Sequence, residues 1–344
     1  MDKEQLLKIS ESPLAKSEIV NSFISPIDGF VYLSSSLEKS DAESSEFSYE
    51  LIESYAIPIA PDTDWVKIST KCKIYSNQRI KKMLETGLIP YNRKHWNKTV
   101  ISGIPNELRG DIWIYFVQPK NSLVREKYSK WVNEPRKNEV DQNIEKDIKR
   151  TFASLPEFTE KQQLRLFNIL KAYSRYDPEV GYCQGMSYIA AILILHIIDE
   201  ITAFCVLEEI MSGFKWRELY VQGMPKLLSL VATLKDKVKL HLPNLYNHIE
   251  TNGVYFEGLF SPMFMTLFMS CAPLSLAVRI FDLFLVEGED IILQCIINIL
   301  ELMQEQIMKF KREAVHLFIK SDMIKECYEK FNFATIANLH MNIV

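Results

Sequence analysis

Met186-Ser187-Tyr188-Ile189-Ala190-Ala191-Ile192-Leu193-Ile194-Leu195-His196-Ile197-Ile198 is apolar on almost every side of a helix. A helix with no polar face cannot lie on the surface of a soluble protein, so this one is expected to be sunk in a core with other helices around it. Upstream, Asp177-Pro178 breaks a helix that Thr159 and Gln162 are expected to start as a capping box, running through Tyr173. A shorter helix is expected over Asn143 to Phe152, ended near Pro156. Before it, Gly103-Ile104-Pro105 opens a helix carrying Leu108, Ile112 and Tyr115 on one face, with proline at a first-turn position where its missing amide costs nothing. Downstream, Leu227, Leu230, Val231, Leu234 and Val238 recur at three and four residues behind Pro225, and similar patterns fill Ser275 to Val286 and Asp290 to Phe310. Strand alternation is nearly absent after residue 79, so the expected class is all-α, held by burial of these faces at roughly 25 cal/mol per Å².

The N-terminal quarter reads differently. Ser34 to Ser48 is serine-rich and acidic, which is linker composition. Tyr55 to Ile59 and Trp65 to Ile68 have the composition of short strands, weakened by Pro58 and Pro61, and no activity is assigned to the region. A short amphipathic piece from Arg79, terminated by Gly87 and Pro90, marks where the helical period begins.

A chain of 344 residues holds either two average domains or one large helical domain with an extension, and its 47% apolar and 24% charged content is ordinary for a globular protein. A formal charge of -4 leaves no electrostatic footprint for nucleic acid, and the clusters Arg79/Lys81/Lys82 and Lys309/Lys311/Arg312 read as solvated helix faces. Cys72, Cys183, Cys205, Cys271, Cys295 and Cys327 lie far apart, without the two-residue spacing of zinc or redox motifs, and read as free thiols of a reducing compartment. The first residues lack the order of a secretory signal, so a cytoplasmic location is expected and the Asn97-Lys98-Thr99 sequon should be irrelevant. Gly258 to Val278 is uncharged and long enough to cross a bilayer, yet Pro262 and Pro273 divide it into pieces better suited to buried helices.

Several chemistries are missing. Gly253 to Gly258 has the spacing of a phosphate loop but is followed by Leu259, without the lysine that reaches phosphates. Gly185-Met186-Ser187 has half of a nucleophile elbow, with Ile189 at the second glycine position. His241 and His248 are not one turn apart, and no acidic residue completes a metal triad.

Three separated pieces carry a pattern instead. They are Gly103-Ile104-Pro105-Asn106-Glu107-Leu108-Arg109-Gly110-Asp111-Ile112-Trp113, Ile144-Glu145-Lys146-Asp147-Ile148-Lys149-Arg150, and Gly181-Tyr182-Cys183-Gln184-Gly185-Met186. Together and in this order they resemble the signature of the TBC-domain Rab GTPase-activating proteins. The likeness extends into Arg279-Ile280-Phe281-Asp282-Leu283-Phe284, where that family often has tryptophan at the position of Phe281, and into Glu287-Gly288. It covers roughly residues 79 to 330. The corresponding division is an extension at 1–78, a multi-helix TBC-type domain at 79–330 and a tail at 331–344.

By spacing alone, Asp147 and Arg150 share a helix face and would form an ordinary surface salt bridge, while Gln184 is a polar residue at the mouth of a buried helix. The resemblance implies more: Arg150 as an arginine finger held ready by Asp147, Gln184 as a second finger orienting the attacking water, and Tyr182 positioning the glutamine loop. Arginine suits such a task because a planar guanidinium offers several donors to the charge spread over a transferred phosphoryl group. Arg109 and Trp113, one turn apart, read as scaffold, a cation and a ring packed together. The resemblance further implies a Rab-family small GTPase as partner, GTP and Mg²⁺ belonging to that partner rather than to this chain, no metal or cofactor here, and a role in vesicle trafficking with room for peripheral recruitment to endomembranes. A noncatalytic adaptor using the same fold is the second reading. Oligomeric state and the identity of the Rab are not encoded in any motif.

Overall fold

Helix formation follows the apolar periodicity almost everywhere. The computed structural model describes residues 100–337, apart from 102, 105 and 137. The expectations for the serine-rich stretch, for Tyr55 to Ile59, for Trp65 to Ile68 and for the piece at Arg79 lie outside these residues. Among the described residues the chain is all-α, with no strand. The helices are α1 (Asn106–Val117), α2 (Ser122–Asn133), α3 (Asn138–Arg150), α4 (Glu160–Tyr176), α5 (Met186–His196) and α6 (Glu200–Ser212). A 3₁₀ turn at Trp216–Leu219 leads to α7 (Pro225–His241), α8 (Pro243–Thr251), α9 (Phe256–Met265), α10 (Leu274–Glu287) and α11 (Asp290–Leu302). The short elements α12 (Gln304–Ile307), α13 (Glu313–Ser321), α14 (Met323–Lys330) and α15 (Phe333–Ile336) follow.

Helix α5 is the buried centre of the N-terminal group. Every residue of it except Tyr188 is buried, and α1, α3, α4 and α6 pack around it. The approach of α1 is close enough to require glycine: a Cβ on Gly110 would lie 2.1 Å from the carbonyl oxygen of His196. Helix α10 packs on α1 and α11, and α11 on α7.

Between α1 and α10 lies a charge in the interior. Asp282 is wholly enclosed, and the Arg109 Nε donates to its two oxygens at 3.2 and 3.3 Å. The indole Nε1 of Trp113 donates to the same carboxylate at 2.7 Å, and Arg109 Nη2 donates to the Ile104 carbonyl at 2.6 Å. Arg109 Nη1 reaches the side-chain oxygen of Asn106. Rings complete the enclosure, with Phe281 and His196 both edge-on to Trp113 at 4.8 and 4.7 Å between centroids. Burial pushes the Asp282 carboxyl up and Arg109 and Trp113 oppose it.

The structure departs from the periodicity in specific places. Helix α3 begins at Asn138, ahead of the expected Asn143, because its inward face there is polar: Asp141 is buried and accepts two bonds from Arg175, at 2.7 and 2.8 Å. Apolar spacing has no means of marking such a turn. Thr159 precedes α4 without a side-chain cap, and Gln162 turns inward, where its amide oxygen accepts from Arg165 Nη1 at 2.8 Å rather than reaching back. Helix α4 continues to Tyr176. Around Tyr115 the single face of α1 widens, with Trp113, Phe116 and Val117 also buried. The run from Asp290 to Phe310 is split at Met303, and the uncharged run from Gly258 is split into α9 and α10. No helix among the described residues is long and apolar enough to cross a membrane.

Removing one member of the Asp282 cluster strands the others in the interior. Asp282→Ala should lower the unfolding free energy by about 3–5 kcal/mol, read as a fall in the urea midpoint. Leu228→Ala, on the exposed side of α7, should stay within about 0.5 kcal/mol. Equal midpoint shifts for the two variants would contradict this account of α1 and α10.

Candidate functional site

Helix α3 is oriented by Ile144 and Ile148, both buried, which turn Asp147 inward and leave Arg150 at the edge. The Arg150 Nη2 lies 2.5 Å from Asp147 Oδ1, with 31% of the arginine side chain exposed against 8% for the aspartate. That difference decides what the pair can do: the carboxylate is enclosed, while the guanidinium it holds remains open to a molecule arriving from outside. The second oxygen of Asp147 is taken from elsewhere in the chain, by the Tyr182 hydroxyl at 2.5 Å. One carboxylate therefore joins the end of α3 to the loop before α5. Thr151 adds a second tie, its hydroxyl within 2.7 Å of the Asp147 carbonyl and 2.8 Å of the Ser187 hydroxyl.

Electrostatics agree with this direction of donation. Burial and the adjacent Asp147 push the Tyr182 hydroxyl well above its ordinary range, so it stays protonated and donates. Burial also raises the Asp147 carboxyl, opposed by the bonds from Tyr182 and Arg150.

Gln184 is half-buried in the turn that immediately precedes α5. The turn is shaped by Gly185, whose φ of 103° is left-handed and whose missing Cβ would meet the Met265 carbonyl oxygen at 3.3 Å. Cys183 shapes the other side: its amide donates to Met186 Sδ at 3.3 Å and its carbonyl accepts from the Met186 amide at 3.2 Å. Gln184 is thus fixed at the N-terminal mouth of α5, two residues from the tyrosine that grips Asp147.

Arg150, Asp147, Tyr182 and the Gln184 loop come together in this way. Arg109 and Trp113 do not present themselves to a partner, since both are wholly buried, and they meet through Asp282. Spacing missed Asp282 as the hub of that cluster, although a lone carboxylate within the apolar pattern of α10 was the available signal, because a buried charge must have a partner. Among the described residues no group of three or more His, Cys, Asp or Glu side chains is placed to hold a metal ion.

The Rab-GTPase-TBC domain family model matches residues 106–308, a stretch that contains Arg150 and Gln184. The chain belongs to this family. It is 31% identical over 225 residues to the human ecotropic viral integration site 5 protein homolog, covering 64% of this chain and 27% of that protein. It is 35% identical over 229 residues to the Rab GTPase-activating protein eat-17 of Caenorhabditis elegans, covering 66% and 25%. With the GTPase-activating protein GYP5 of Saccharomyces cerevisiae it shares 30% identity over 240 residues, covering 70% and 25%. The chain spans about a quarter of the length of these curated relatives. Its fold matches the crystal structure of the Chlamydomonas flagellar RabGAP TBC domain, with a TM-score of 0.61 and 18% identity over 82% of this chain and 98% of that one. It also matches the Ypt/Rab-GAP domain of Gyp1p, with a TM-score of 0.60 and 19% identity over 75% and 95%.

Within this TBC domain the thiol of Cys183, flanked by Tyr182 and Gln184, is pushed up to about 12 by burial and by Asp147. The thiolate is the reactive form, so Cys183 should react with iodoacetamide at pH 8 at least about tenfold more slowly than a free cysteine, and faster as pH rises. Mass-spectrometric labelling rates on the folded protein check this. Reaction at the rate of free cysteine would mean that the loop opens far more than its bonds imply.

Proposed function

We propose that this TBC domain accelerates GTP hydrolysis by Rab-family small GTPases, lending Arg150 and Gln184 to a site whose nucleotide and Mg²⁺ belong to the GTPase. The observation that carries the proposal is the single Asp147 carboxylate, bonded at once to the partly exposed Arg150 and to Tyr182 of the Gln184 loop. Family membership and the names of the relatives, several called GTPase-activating proteins, support the same reading.

Phosphoryl transfer to water spreads negative charge over the departing γ-phosphoryl oxygens and requires the water to be in line. A guanidinium held by Asp147 before docking loses less freedom when it meets those oxygens, so more of its attraction is felt in the transition state. An amide both accepts from the water and donates to phosphate, which one side chain at the mouth of α5 would do as Gln184. Asp147 and Tyr182 act as supports, keeping the two contributors in register.

In this reading residues 79–330 form the TBC-type domain, with 1–78 an extension and 331–344 a tail. The chain works in the cytoplasm in vesicle trafficking, reaching endomembranes through the Rab.

Single-turnover GTP hydrolysis over a panel of Rabs tests the proposal and identifies the partner together. The unaltered protein should accelerate at least one Rab by about 10³–10⁵. Arg150→Ala should remove nearly all of that, with Arg150→Lys a poor substitute, and Gln184→Ala should cost at least about tenfold, all three retaining the helical circular dichroism of the parent. Strong stimulation by Arg150→Ala would eliminate it as the finger, and tight Rab binding without acceleration by the unaltered protein would favour an adaptor.

A further inference from the structure

Loop 177–185 leaves the body of the domain at Asp177 and returns at Gly185. Its return is held by packing at Met265 and by Tyr182. Its departure is held differently. Asp177 closes α4, accepts the Gly181 amide on its carbonyl at 2.8 Å and receives the Val180 amide on Oδ1 at 3.4 Å. Arg217, on the 3₁₀ turn after α6, donates from Nε to Asp177 Oδ2 at 2.6 Å and from Nη2 to Oδ1 at 2.9 Å. The same Nη2 donates to Glu179 Oε2 at 2.6 Å. The fork thus grips two residues of the loop, with the Tyr173 hydroxyl adding a weaker bond to Asp177 at 3.2 Å.

At the very start of the loop packing contributes little, since Pro178 and Glu179 are exposed, whereas Val180 turns inward and is buried. Beside the fork an open cleft of about 270 Å³, walled by Tyr173, Tyr176, Glu208 and Met211, leaves Asp177 and Arg217 without core packing on that side. Burial alone would push the Asp177 carboxyl up, but the Arg217 bonds and the Val180 amide hold it below the usual carboxylate range. The 3₁₀ turn is itself firmly seated: Trp216 is wholly buried, and the Tyr220 hydroxyl donates to the Met265 carbonyl at 2.5 Å. That carbonyl is the one Gly185 approaches so closely. The segment 216–220 therefore bonds the start of the loop directly through Arg217, and through Tyr220 it holds the Met265 carbonyl against which Gly185 at the finish lies.

We propose that Arg217 is a positioning residue for Gln184, clamping Asp177 and Glu179 so that the loop presents its amide in one place. The inference rests on the reading of Gln184 as a finger. Arginine is required because a planar fork reaches both Asp177 oxygens and Glu179 together, whereas a lysine ammonium has no such geometry. An ion pair one-third exposed on its cationic side adds little to global stability, so loss of the clamp is expected to loosen the loop and leave the fold intact.

Two measurements on the intact protein test it. Hydrogen–deuterium exchange of residues 179–185 in Arg217→Ala should speed up by at least about tenfold while α5 is unchanged, with Arg217→Lys intermediate. With a responsive Rab, Arg217→Ala should lower the maximal stimulated rate by roughly 10- to 100-fold without changing the half-saturating concentration, and should cost nothing further in a Gln184→Ala background. Unchanged loop exchange, an undiminished maximal rate, or an equal loss in the Gln184→Ala background would each overturn the role of Arg217. Failure of the unaltered protein to accelerate any Rab would instead overturn the function proposed for Gln184 itself, and the clamp's purpose with it.

Discussion

Helix α5 has no side that tolerates water, and most of the domain's arrangement follows from that constraint. Ile189, Ala190, Ala191, Ile192 and Leu193 are wholly buried, and covering them takes α1, α3, α4 and α6 at once. A helix covered on all sides can meet the surface only at its ends. At one end α1 crosses so tightly that Gly110 is needed, and at the other the chain enters through the turn that carries Gln184. The candidate site therefore sits at the mouth of the most deeply buried helix of this group, where a side chain anchored to the core still reaches solvent.

Aspartates that face inward divide into two kinds by what their arginines do. Asp282 with Arg109, and Asp141 with Arg175, are closed pairs in which neither side chain has appreciable exposure. Such pairs compensate each other's desolvation, and breaking one is more damaging than never having had it. Asp147 is nearly as enclosed, yet its arginine is not. Because the carboxylate is anchored by Tyr182 from behind, the exposed guanidinium is held in one orientation without being consumed by the interior. The same chemical pair thus serves as internal bracing in two places and as a presented cation in the third.

Much of the helix plan was legible because burial writes itself into apolar spacing. The face of α7 from Leu227 to Val238 and its start at Pro225 are read directly from the residues, as is the interior position of α5. The first turn of α3 was not legible, since its inward residue is Asp141 and the partner, Arg175, belongs to another helix. The expected cap at Thr159 and Gln162 failed for a related reason: a glutamine side chain has several possible acceptors and donors, and the fold supplied Arg165. At the site, the spacing of Asp147 and Arg150 foretold their ion pair but as a surface one, and nothing local indicated that the carboxylate is enclosed or that Tyr182, 35 residues away, shares it.

The sequence by itself determined that the described residues are helical, which helix is central, and which family's motifs the chain carries, because those properties depend on residues near one another or in a stated order. Only the tertiary structure decided that Arg150 remains open while Arg109 is sealed, that Asp282 is the hub for Arg109 and Trp113, and that Arg217 grips the start of the glutamine loop. The physical reason is that exposure and partnership of a charge are set by what packs against it. Here the partners come from segments tens to more than a hundred residues distant, and no periodicity along the chain records their meeting.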